Sequence, residues 1–431
     1  MPIRLDTGDP DFAERFDAFL ATKREAAEDV VETARAVIAD VIARGDTALI
    51  ELTRRFDRLD VDRIRLQVSA AEIDAAGAQC ERVALDALNF AHDRIEAFHR
   101  RQIPAYERYT DSLGVELGYR WTPIEAVGLY VPGGTAAYPS SVLMNAVPAK
   151  VAGVGRLVMV VPAPDGNLNP LVLAAAKLAG VDEIYRVGGA QAIAALAYGT
   201  ETIEPVAKIV GTGNAYVAAA KRLVFGKVGI DMIAGPSEVL ILADHNANPD
   251  WFAADLLAQA EHDVSAQAIL ITDDPGLAGA VEKAVGLQLA TLPRGAVAVA
   301  AWRDFGAIIL VQDLDAAIAL VDAIAPEHLE LMAADSDRLA GRIRNAGAIF
   351  IGAHTPEAIG DYVAGSNHVL PTARSARFSS GLGVLDFMKR TSILKCGPDQ
   401  LRALGPAAMT LGKAEGLDAH SRSVGLRLNL P

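Results

Sequence analysis

The spacing of apolar residues divides the chain into a helical beginning and a mixed remainder. Between Glu25 and Arg44, Ala, Val and Ile recur at helical spacing until Gly45 and Asp46 interrupt the pattern, and Val83–Arg101 repeats it with charges on the opposite face. From about Gly114, short β-branched apolar runs alternate with alanine-rich stretches. This pattern predicts a mainly helical segment over residues 1–112, followed by α/β structure.

Beyond Gly114, the apolar runs predict strands and the stretches between them predict helices. The predicted strands are Val127–Val131, Leu157–Val161, Glu183–Val187, Val239–Leu242, Ile269–Thr272, Ile308–Val311 and Ile349–Ile351. The predicted helices are Ser140–Ala152, Asn169–Ala179, Ala190–Tyr198, Ala215–Phe225, Pro249–His262, Gly276–Leu287, Asp315–Ala325 and Asp335–Ala346. This alternation indicates right-handed βαβ units and a mostly parallel arrangement. The strands fit one large sheet or two smaller ones, and the interruption at Val228–Glu238 favours two.

Composition then narrows the class of protein. The chain has 431 residues, 51% of them hydrophobic, which is enough for more than one buried core. Its net charge of −14 repels phosphate backbones, so we expect no nucleic-acid partner. No apolar run approaches a bilayer span, and Met1–Phe12 lacks the features of a secretory signal. Cys80 and Cys396 are too few for a disulfide framework. We therefore expect a soluble, intracellular enzyme with inert thiols and no membrane partner.

Three glycine turns are predicted to follow strands and to open helices: Val131–Gly134, Gly188–Gln191 and Gly211–Asn214. None has the GxGxxG fingerprint of dinucleotide-binding folds. Each permits close backbone approach and presents free N–H groups at a helix start, where an anion is stabilised. One such turn alone is more often a packing turn, but three at strand ends favour a ligand site. Tyr130, directly before the first turn, would stack on a cofactor ring or complete the core.

A metal site is a weaker inference from the residues alone. Gln259 and His262 share one face of a predicted helix because they are three positions apart. A lone helical histidine is more often structural, and glutamine is an uncommon zinc ligand. Asp361, His368 and His420 are candidates to complete a ligand shell, and spacing does not rank them.

A carboxylate beside an imidazole, Glu327-His328, follows Pro326 at the end of a predicted helix. Such a pair can act in acid–base catalysis if its surroundings shift the two pKa values toward neutrality. The alternative is an exposed glutamate next to a helix-end histidine. The remaining candidates for chemistry are expected to be solvated surface residues. These are His92, His99, His245 and His354.

Several sequence blocks together resemble the histidinol dehydrogenase family. These blocks are Leu129–Gly134, Ile230–Val239, Asp255–His262, Pro326–Leu329, Gly360–Tyr362, Ser366–Pro371 and Glu415–His420. They keep the family order from about residue 120 to the end of the chain. One departure is Thr212, where the family usually has proline, and it affects the rigidity of that turn.

The resemblance implies NAD-dependent, four-electron oxidation of L-histidinol to L-histidine through L-histidinaldehyde, the last steps of histidine biosynthesis, in the cytoplasm. It implies one zinc ion (Zn2+) per site, held by Gln259, His262, Asp361 and His420, with His368 outside the ligand shell. It also implies a homodimer with shared active sites, in which the C-terminal segment crosses over. Residues matching family contacts to NAD are Tyr130, Gln191 and Asn214. Residues matching family contacts to substrate are Ser237, Gln259, His262, His328, Asp361, Glu415 and His420.

The resemblance further implies two incomplete Rossmann-like α/β domains with mostly parallel sheets. We expect a helical N-terminal segment over residues 1–112 that packs with the second half, a first α/β domain on the NAD side over 113–235, and a second over 236–375. Residues 376–431 are expected to form a small C-terminal segment exchanged in the dimer.

The catalytic expectation assigns His328 as the base that removes the hydroxyl proton and Glu327 as the acceptor of a proton from attacking water. A related zinc- and NAD-dependent dehydrogenase of another amino alcohol or of a sulfonated alcohol is an alternative. An anionic substrate would favour Arg or Lys at position 415, where this chain has Glu415. A zinc hydrolase would not need the glycine turns, and a non-catalytic metabolite-binding protein would not need the Glu327-His328 pair.

Overall fold

The computed structural model describes residues 1–22, 28–60, 66–133, 138–246 and 248–430. The strands, numbered in chain order, are β1 Ile3–Asp6, β2 Glu107–Thr110, β3 Glu116–Pro123, β4 Ala126–Tyr130, β5 Arg156–Val160, β6 Glu183–Tyr185, β7 Lys208–Val210, β8 Gly229–Ile230, β9 Glu238–Ala243, β10 Gln267–Thr272, β11 Ala307–Leu310, β12 His328–Met332, β13 Ala348–Ile351 and β14 Met388–Lys395. The helices are α1 Phe12–Leu20, α2 Glu28–Arg44, α3 Asp46–Asp57, α4 Ala70–Ala78, α5 Arg82–Arg100, α6 Pro139–Ala152, α7 Pro170–Leu178, α8 Gly189–Tyr198, α9 Ala215–Val224, α10 Pro249–Ala260, α11 Pro275–Leu289, α12 Gly295–Phe305, α13 Leu314–Ile324, α14 Ser336–Ala340, α15 Glu357–Tyr362, α16 Pro398–Ala414 and α17 Asp418–Arg427. Two predicted positions, Glu25 at the start of a helix and Gly134 in the first glycine turn, lie outside the described residues.

The first α/β unit is a five-stranded sheet in the order β6-β5-β4-β7-β8, and all neighbouring strands are parallel. Helices α8 and α9 cover one face, and α6 and α7 cover the other. Every residue of β4 is consequently buried. A strand covered on both faces appears in a sequence as a continuous apolar run, which is why this unit was predictable.

The second α/β unit is a six-stranded parallel sheet in the order β1-β11-β10-β9-β12-β13. The prediction of two mostly parallel sheets in an α/β fold is therefore confirmed. Three details of the prediction are wrong. Helix α13 ends at Ile324 and His328 begins strand β12, so Glu327-His328 does not lie at a helix end. Helix α10 ends at Ala260, before His262. The predicted helix Asp335–Ala346 is reduced to Ser336–Ala340, because Asp322 accepts hydrogen bonds from the backbone N–H groups of residues 344 and 345.

The N-terminal segment divides between the two units. Strand β1 pairs with β11 of the six-stranded sheet. Helices α2, α4 and α5 instead contact α8, α7 and α6 of the five-stranded unit. The segment also reaches the second half of the chain through α5, where the Arg94 side chain donates hydrogen bonds to the backbone carbonyls of Val363 and Ala364 at 2.6 and 2.8 Å.

The four histidines expected at the surface differ in their environments. His245 and His354 are exposed, and His92 is partly buried beside Asp93. The expectation for His99 is wrong, because its side chain is fully buried. Its Nδ1 lies 2.7 Å from the carbonyl oxygen of Ile95, and the amide nitrogen of Asn367 lies 3.5 Å from its Nε2. His99 therefore anchors helix α5 to the loop that precedes Val369.

The C-terminal part contributes to the third sheet and then forms a helical hairpin. Strand β14 pairs antiparallel with β3, which pairs antiparallel with β2. Helices α16 and α17 pack mainly against each other within the described part of the chain. Their outward-facing leucines Leu411, Leu417 and Leu426 are exposed. No described helix is long and apolar enough to cross a bilayer.

Candidate active site

The site is built at the amino-terminal edge of the six-stranded sheet. His328 opens β12, and Glu238 opens the neighbouring strand β9. Helices that follow parallel strands run back toward this edge, so the ends of α10 and α15 bring Gln259 and Asp361 to it. The parallel topology thereby gathers residues that lie more than a hundred positions apart in the sequence.

His328 is held in one tautomer by the backbone. Its Nδ1 lies 3.0 Å from the carbonyl oxygen of Glu238, so Nδ1 carries the proton and donates it. Its Nε2 is buried without a hydrogen-bond partner among the described residues and lies 3.6 Å from the Asp361 carboxylate. In the neutral imidazole, Nε2 therefore offers a lone pair that can accept a proton.

Carboxyl groups surround this imidazole. One oxygen each of Glu327 and Glu357 lies 3.7 Å from Nδ1 of His328. Burial alone would lower the pKa of His328, but these carboxyl groups, Glu357 first, raise it well above its ordinary value. Burial pushes the pKa of Asp361 upward, but the nearby imidazole outweighs this effect and holds the pKa below its usual range.

Glu327 is fixed by the neighbouring strand. Its carboxylate accepts a hydrogen bond of 2.9 Å from the backbone N–H of Glu238. Burial raises the pKa of Glu327 to about 8, although the positive charge of His328 opposes this shift. The backbone of Glu238 thus positions both members of the pair, accepting from His328 through its carbonyl and donating to Glu327 through its N–H.

Gln259 is fully buried and contacts Glu357. With the amide assigned by its hydrogen bonds, its nitrogen lies 2.6 and 3.1 Å from the two carboxylate oxygens of Glu357. His262 lies just beyond the end of α10 and is solvent-exposed. Partial desolvation lowers the pKa of His262, and the charge of Asp361 opposes this shift.

The donor set fits a metal ion. Donor atoms of His328, Glu357 and Asp361 lie within 4.8 Å of one another. Burial raises the pKa of Glu357 well above its ordinary value, as it does for Glu327. The neighbouring carboxyl groups add to both shifts, whereas the charge of His328 opposes them. A divalent cation would keep these carboxyl groups ionised. Imidazole nitrogen and side-chain oxygen are donors that zinc accepts.

The glycine turns lie at the carboxyl-terminal edge of the five-stranded sheet. Gly211 has φ of +104°, and a Cβ there would come within 2.1 Å of the Tyr130 carbonyl oxygen. A Cβ at Gly188 would come within 2.5 Å of Pro162 Cβ. Both turns therefore require glycine, because the backbone approaches neighbouring residues closely.

The third turn is braced from beneath. The backbone N–H of Gly211 donates to Asp231 at 2.8 Å, and Nζ of Lys221 donates to the Gly211 carbonyl at 2.8 Å. Lys221 also pairs with Asp231 in a buried ion pair. This ion pair braces the turn that contains Thr212, the position at which the family usually has proline.

The three predicted NAD contacts have different environments. The hydroxyl of the buried Tyr130 accepts a hydrogen bond of 3.1 Å from the backbone N–H of Gly189, and burial raises the pKa of Tyr130 to about 12. Gln191 is buried at the start of α8. Asn214 is exposed and caps α9, because its side-chain oxygen accepts from the backbone N–H groups of Tyr216 and Val217 at 3.1 and 3.2 Å.

His368 connects the two edges. Its Nδ1 lies 2.9 Å from the backbone carbonyl oxygen of Asp361, and its Nε2 lies 3.4 Å from the Ser141 hydroxyl at the start of α6. Ser141 lies in the first turn of α6, the described helix that follows the first glycine turn in the sequence. The turns and the acidic cluster thus border one region between the two sheets.

Three further predicted site residues are Ser237, Glu415 and His420. Ser237 is partly buried directly before β9. Glu415 ends α16 and His420 lies on α17, and both are exposed. The described metal-ligand cluster contains neither Glu415 nor His420.

Three residues of the site were missed by sequence reasoning: Ser141, Glu238 and Glu357. For Glu357 a signal existed, because it lies four positions before Asp361 and therefore shares its helix face. Glu238 acts through its backbone, which the residue type does not reveal.

Comparisons with known proteins show the family of the chain. The sequence profile of the histidinol dehydrogenase family matches residues 20–428. The chain is 75% identical over 430 residues to the histidinol dehydrogenase of Bradyrhizobium diazoefficiens and 74% identical over 429 residues to that of Nitrobacter winogradskyi, with 100% of each chain covered in both cases. The crystal structure of histidinol dehydrogenase from Elizabethkingia anophelis matches with a TM-score of 0.95 at 36% identity, covering 99% of this chain and 98% of that chain. The chain therefore belongs to the histidinol dehydrogenase family of oxidoreductases.

Proposed function

We propose that this enzyme oxidises L-histidinol to L-histidine in two NAD-dependent steps at a zinc site, with the catalytic pair Glu327 and His328. The observation that carries the proposal is the state of Nε2 of His328. This atom is buried, has no hydrogen-bond partner among the described residues, and lies 3.6 Å from the Asp361 carboxylate, while Nδ1 carries the proton of the neutral imidazole. A base in this position can take a proton from a substrate held beside Asp361. Membership of the family supports the choice of substrate and its place in histidine biosynthesis.

The proposed metal ligands are Gln259, His262, Asp361 and His420 of a second copy of the chain. When bound, zinc would orient the amino alcohol as a Lewis acid, and NAD would accept hydride from its carbon. Tyr130, Gln191 and Asn214 are proposed to contact NAD, since the glycine turns beside them let its phosphates approach backbone N–H groups.

The residues of the chain move protons in both steps. In the first, Nε2 of His328 takes the hydroxyl proton while a hydride leaves the carbinol carbon, and the aldehyde forms. In the second, water adds to the aldehyde: Glu327 accepts a proton from the water, and His328 returns its proton to the aldehyde oxygen, which gives the hydrate and restores the base. His328 then takes a hydroxyl proton of the hydrate as a second hydride leaves, and both groups finally release their protons to solvent. Four electrons leave the substrate as two hydrides, and one water supplies the second carboxylate oxygen. A Glu327 pKa near neutrality suits a group that takes and returns a proton.

The charge of the site favours a cationic substrate. The carboxyl groups of Glu327, Glu357 and Asp361 lie around the His328 imidazole. A sulfonated alcohol would meet like charge there, whereas a substrate that carries an amine and an imidazole would meet opposite charge. Ser237 and Glu415 are proposed to bind this substrate.

The C-terminal hairpin is proposed to complete the site of a second copy in a homodimer. Its leucines, including Leu411 and Leu426, are exposed on a hairpin that packs mainly on itself. Glu415 and His420 lie at the turn of this hairpin and on α17, away from the cluster of their own chain. Docking on a second copy would bury the leucines and deliver both polar side chains to its cluster.

The stoichiometry of the reaction tests the proposed function. With zinc and excess NAD, purified enzyme is expected to form two NADH for each histidinol consumed, because the aldehyde is retained and oxidised again. NADH is measured by absorbance and histidine by chromatography. One NADH per histidinol, or none, would contradict the proposal.

His328→Ala is expected to lower kcat by about 10²- to 10⁴-fold, since it removes a general base. The variant should retain its zinc, which is measured by metal analysis after gel filtration. His245→Ala, which alters an exposed histidine, serves as the control and should keep wild-type kcat. Loss of zinc from the His328 variant would show that His328 is a ligand instead.

Mixing two inactive variants tests the shared site. Glu327→Gln and His420→Ala subunits, dissociated and reassembled at equal concentration, are expected to recover about a quarter of wild-type activity, since half of the dimers are mixed and each has one intact site. A mixture of Glu327→Gln with His328→Ala should recover no activity. Each chain supplies both of these residues to its own site, so every site in the mixed dimer keeps one defect. No recovery in a verified heterodimer of the first pair would refute sharing.

A further inference from the structure

We propose that Glu357 is a positioning residue that turns the oxygen of the Gln259 amide, and not its nitrogen, toward the metal. This inference rests on the proposed zinc site. When the Gln259 amide is assigned by its hydrogen bonds, both oxygens of the Glu357 carboxylate lie against its nitrogen.

Glutamine is an ambiguous ligand without such a partner. The two ends of its amide have the same shape, and a half-turn about the last side-chain bond exchanges them. The oxygen has lone pairs for a metal, whereas the nitrogen offers only N–H groups. A glutamine ligand in an unbiased pocket would spend part of its time in the wrong orientation.

Glu357 removes this ambiguity because a carboxylate only accepts hydrogen bonds. Its oxygens lie 2.6 and 3.1 Å from the Gln259 nitrogen, and both side chains are buried, so water does not compete. The Gln259 oxygen consequently faces away from Glu357. A negative charge against the N–H end also makes the oxygen a stronger donor to a metal, as outer carboxylates do for histidine ligands.

Glu357 is itself fixed to the catalytic strand. Its backbone N–H donates a hydrogen bond of 2.7 Å to the carboxylate of Glu330, a fully buried residue two positions after His328 on β12. Asp361 follows Glu357 by four residues on the same helix, α15. One short segment therefore orients the glutamine ligand and also supplies the aspartate ligand.

The expected consequence is measured by zinc affinity without substrate or NAD, in chelator competition on the full-length protein. Glu357→Ala is expected to weaken zinc binding by about 10- to 100-fold, the usual effect of removing an outer partner of a ligand. Glu261→Ala removes a carboxylate beside His262 that has no hydrogen bond to Gln259 among the described contacts, and should change affinity by less than about fivefold.

A reversed pair separates orientation from simple packing. Glu357→Gln alone should weaken zinc binding, because the new amide accepts at only one atom. Combining it with Gln259→Glu reverses the pair: the amide at position 357 donates to the carboxylate at position 259, whose other oxygen faces the metal. The double variant should therefore regain at least half of the lost free energy of zinc binding. Circular dichroism monitors folding, and the isosteric pair keeps the test valid if the alanine variant does not fold.

Unchanged zinc affinity in Glu357→Ala and Glu357→Gln would overturn the inference. So would a double variant no better than Glu357→Gln alone, which is the result expected if Glu357 binds the metal directly. Because affinity is read without turnover, a wild-type enzyme that binds zinc but does not oxidise histidinol would refute the proposed function and leave this inference to be decided by the variants.

Discussion

The bond between Nδ1 of His328 and the Glu238 carbonyl is the interaction on which the site depends. It holds the His328 imidazole among buried carboxyl groups and leaves its other nitrogen without a hydrogen-bond partner among the described residues. Such a concentration of negative charge is unfavourable in a protein interior unless a cation or a proton balances it. The cluster is therefore suited to bind positive charge, either as a metal ion or as protons on its imidazole and carboxyl groups.

Two parallel sheets meet at this cluster with opposite edges. The five-stranded sheet presents its carboxyl edge, where the glycine turns allow close backbone approach, and the six-stranded sheet presents its amino edge, where the helix ends return. The contacts of His368 with Asp361 and with Ser141 join the two edges. A hydride donor and its acceptor have to be held in contact, and a site between two rigid sheets can do so without a standard dinucleotide fingerprint.

The sequence predicted the parts of the fold that are buried on both faces, because β4 and β9 form continuous apolar runs. It missed β12, since this strand carries two polar residues, His328 and Glu330, where a core strand normally has apolar ones. The sequence predicted His99 at the surface because the residues beside it are charged, although its side chain is fully buried. At the site, the resemblance to the family predicted Gln259 and Asp361 as ligands, whereas the spacing of residues alone did not determine the ligand set. Glu357 was missed because its contact with Gln259 joins two helices, and the sequence pattern does not show which helices meet.

The central claim is that one metal ion is bound where Gln259, His262 and Asp361 converge, with His420 contributed by a second copy of the chain. An anomalous difference map at the zinc absorption edge, from crystals of the zinc-loaded enzyme, tests it most directly. The account predicts one strong peak per subunit, bounded by these four side chains. A peak bounded by other residues, or one completed by His420 of the same subunit, would contradict it.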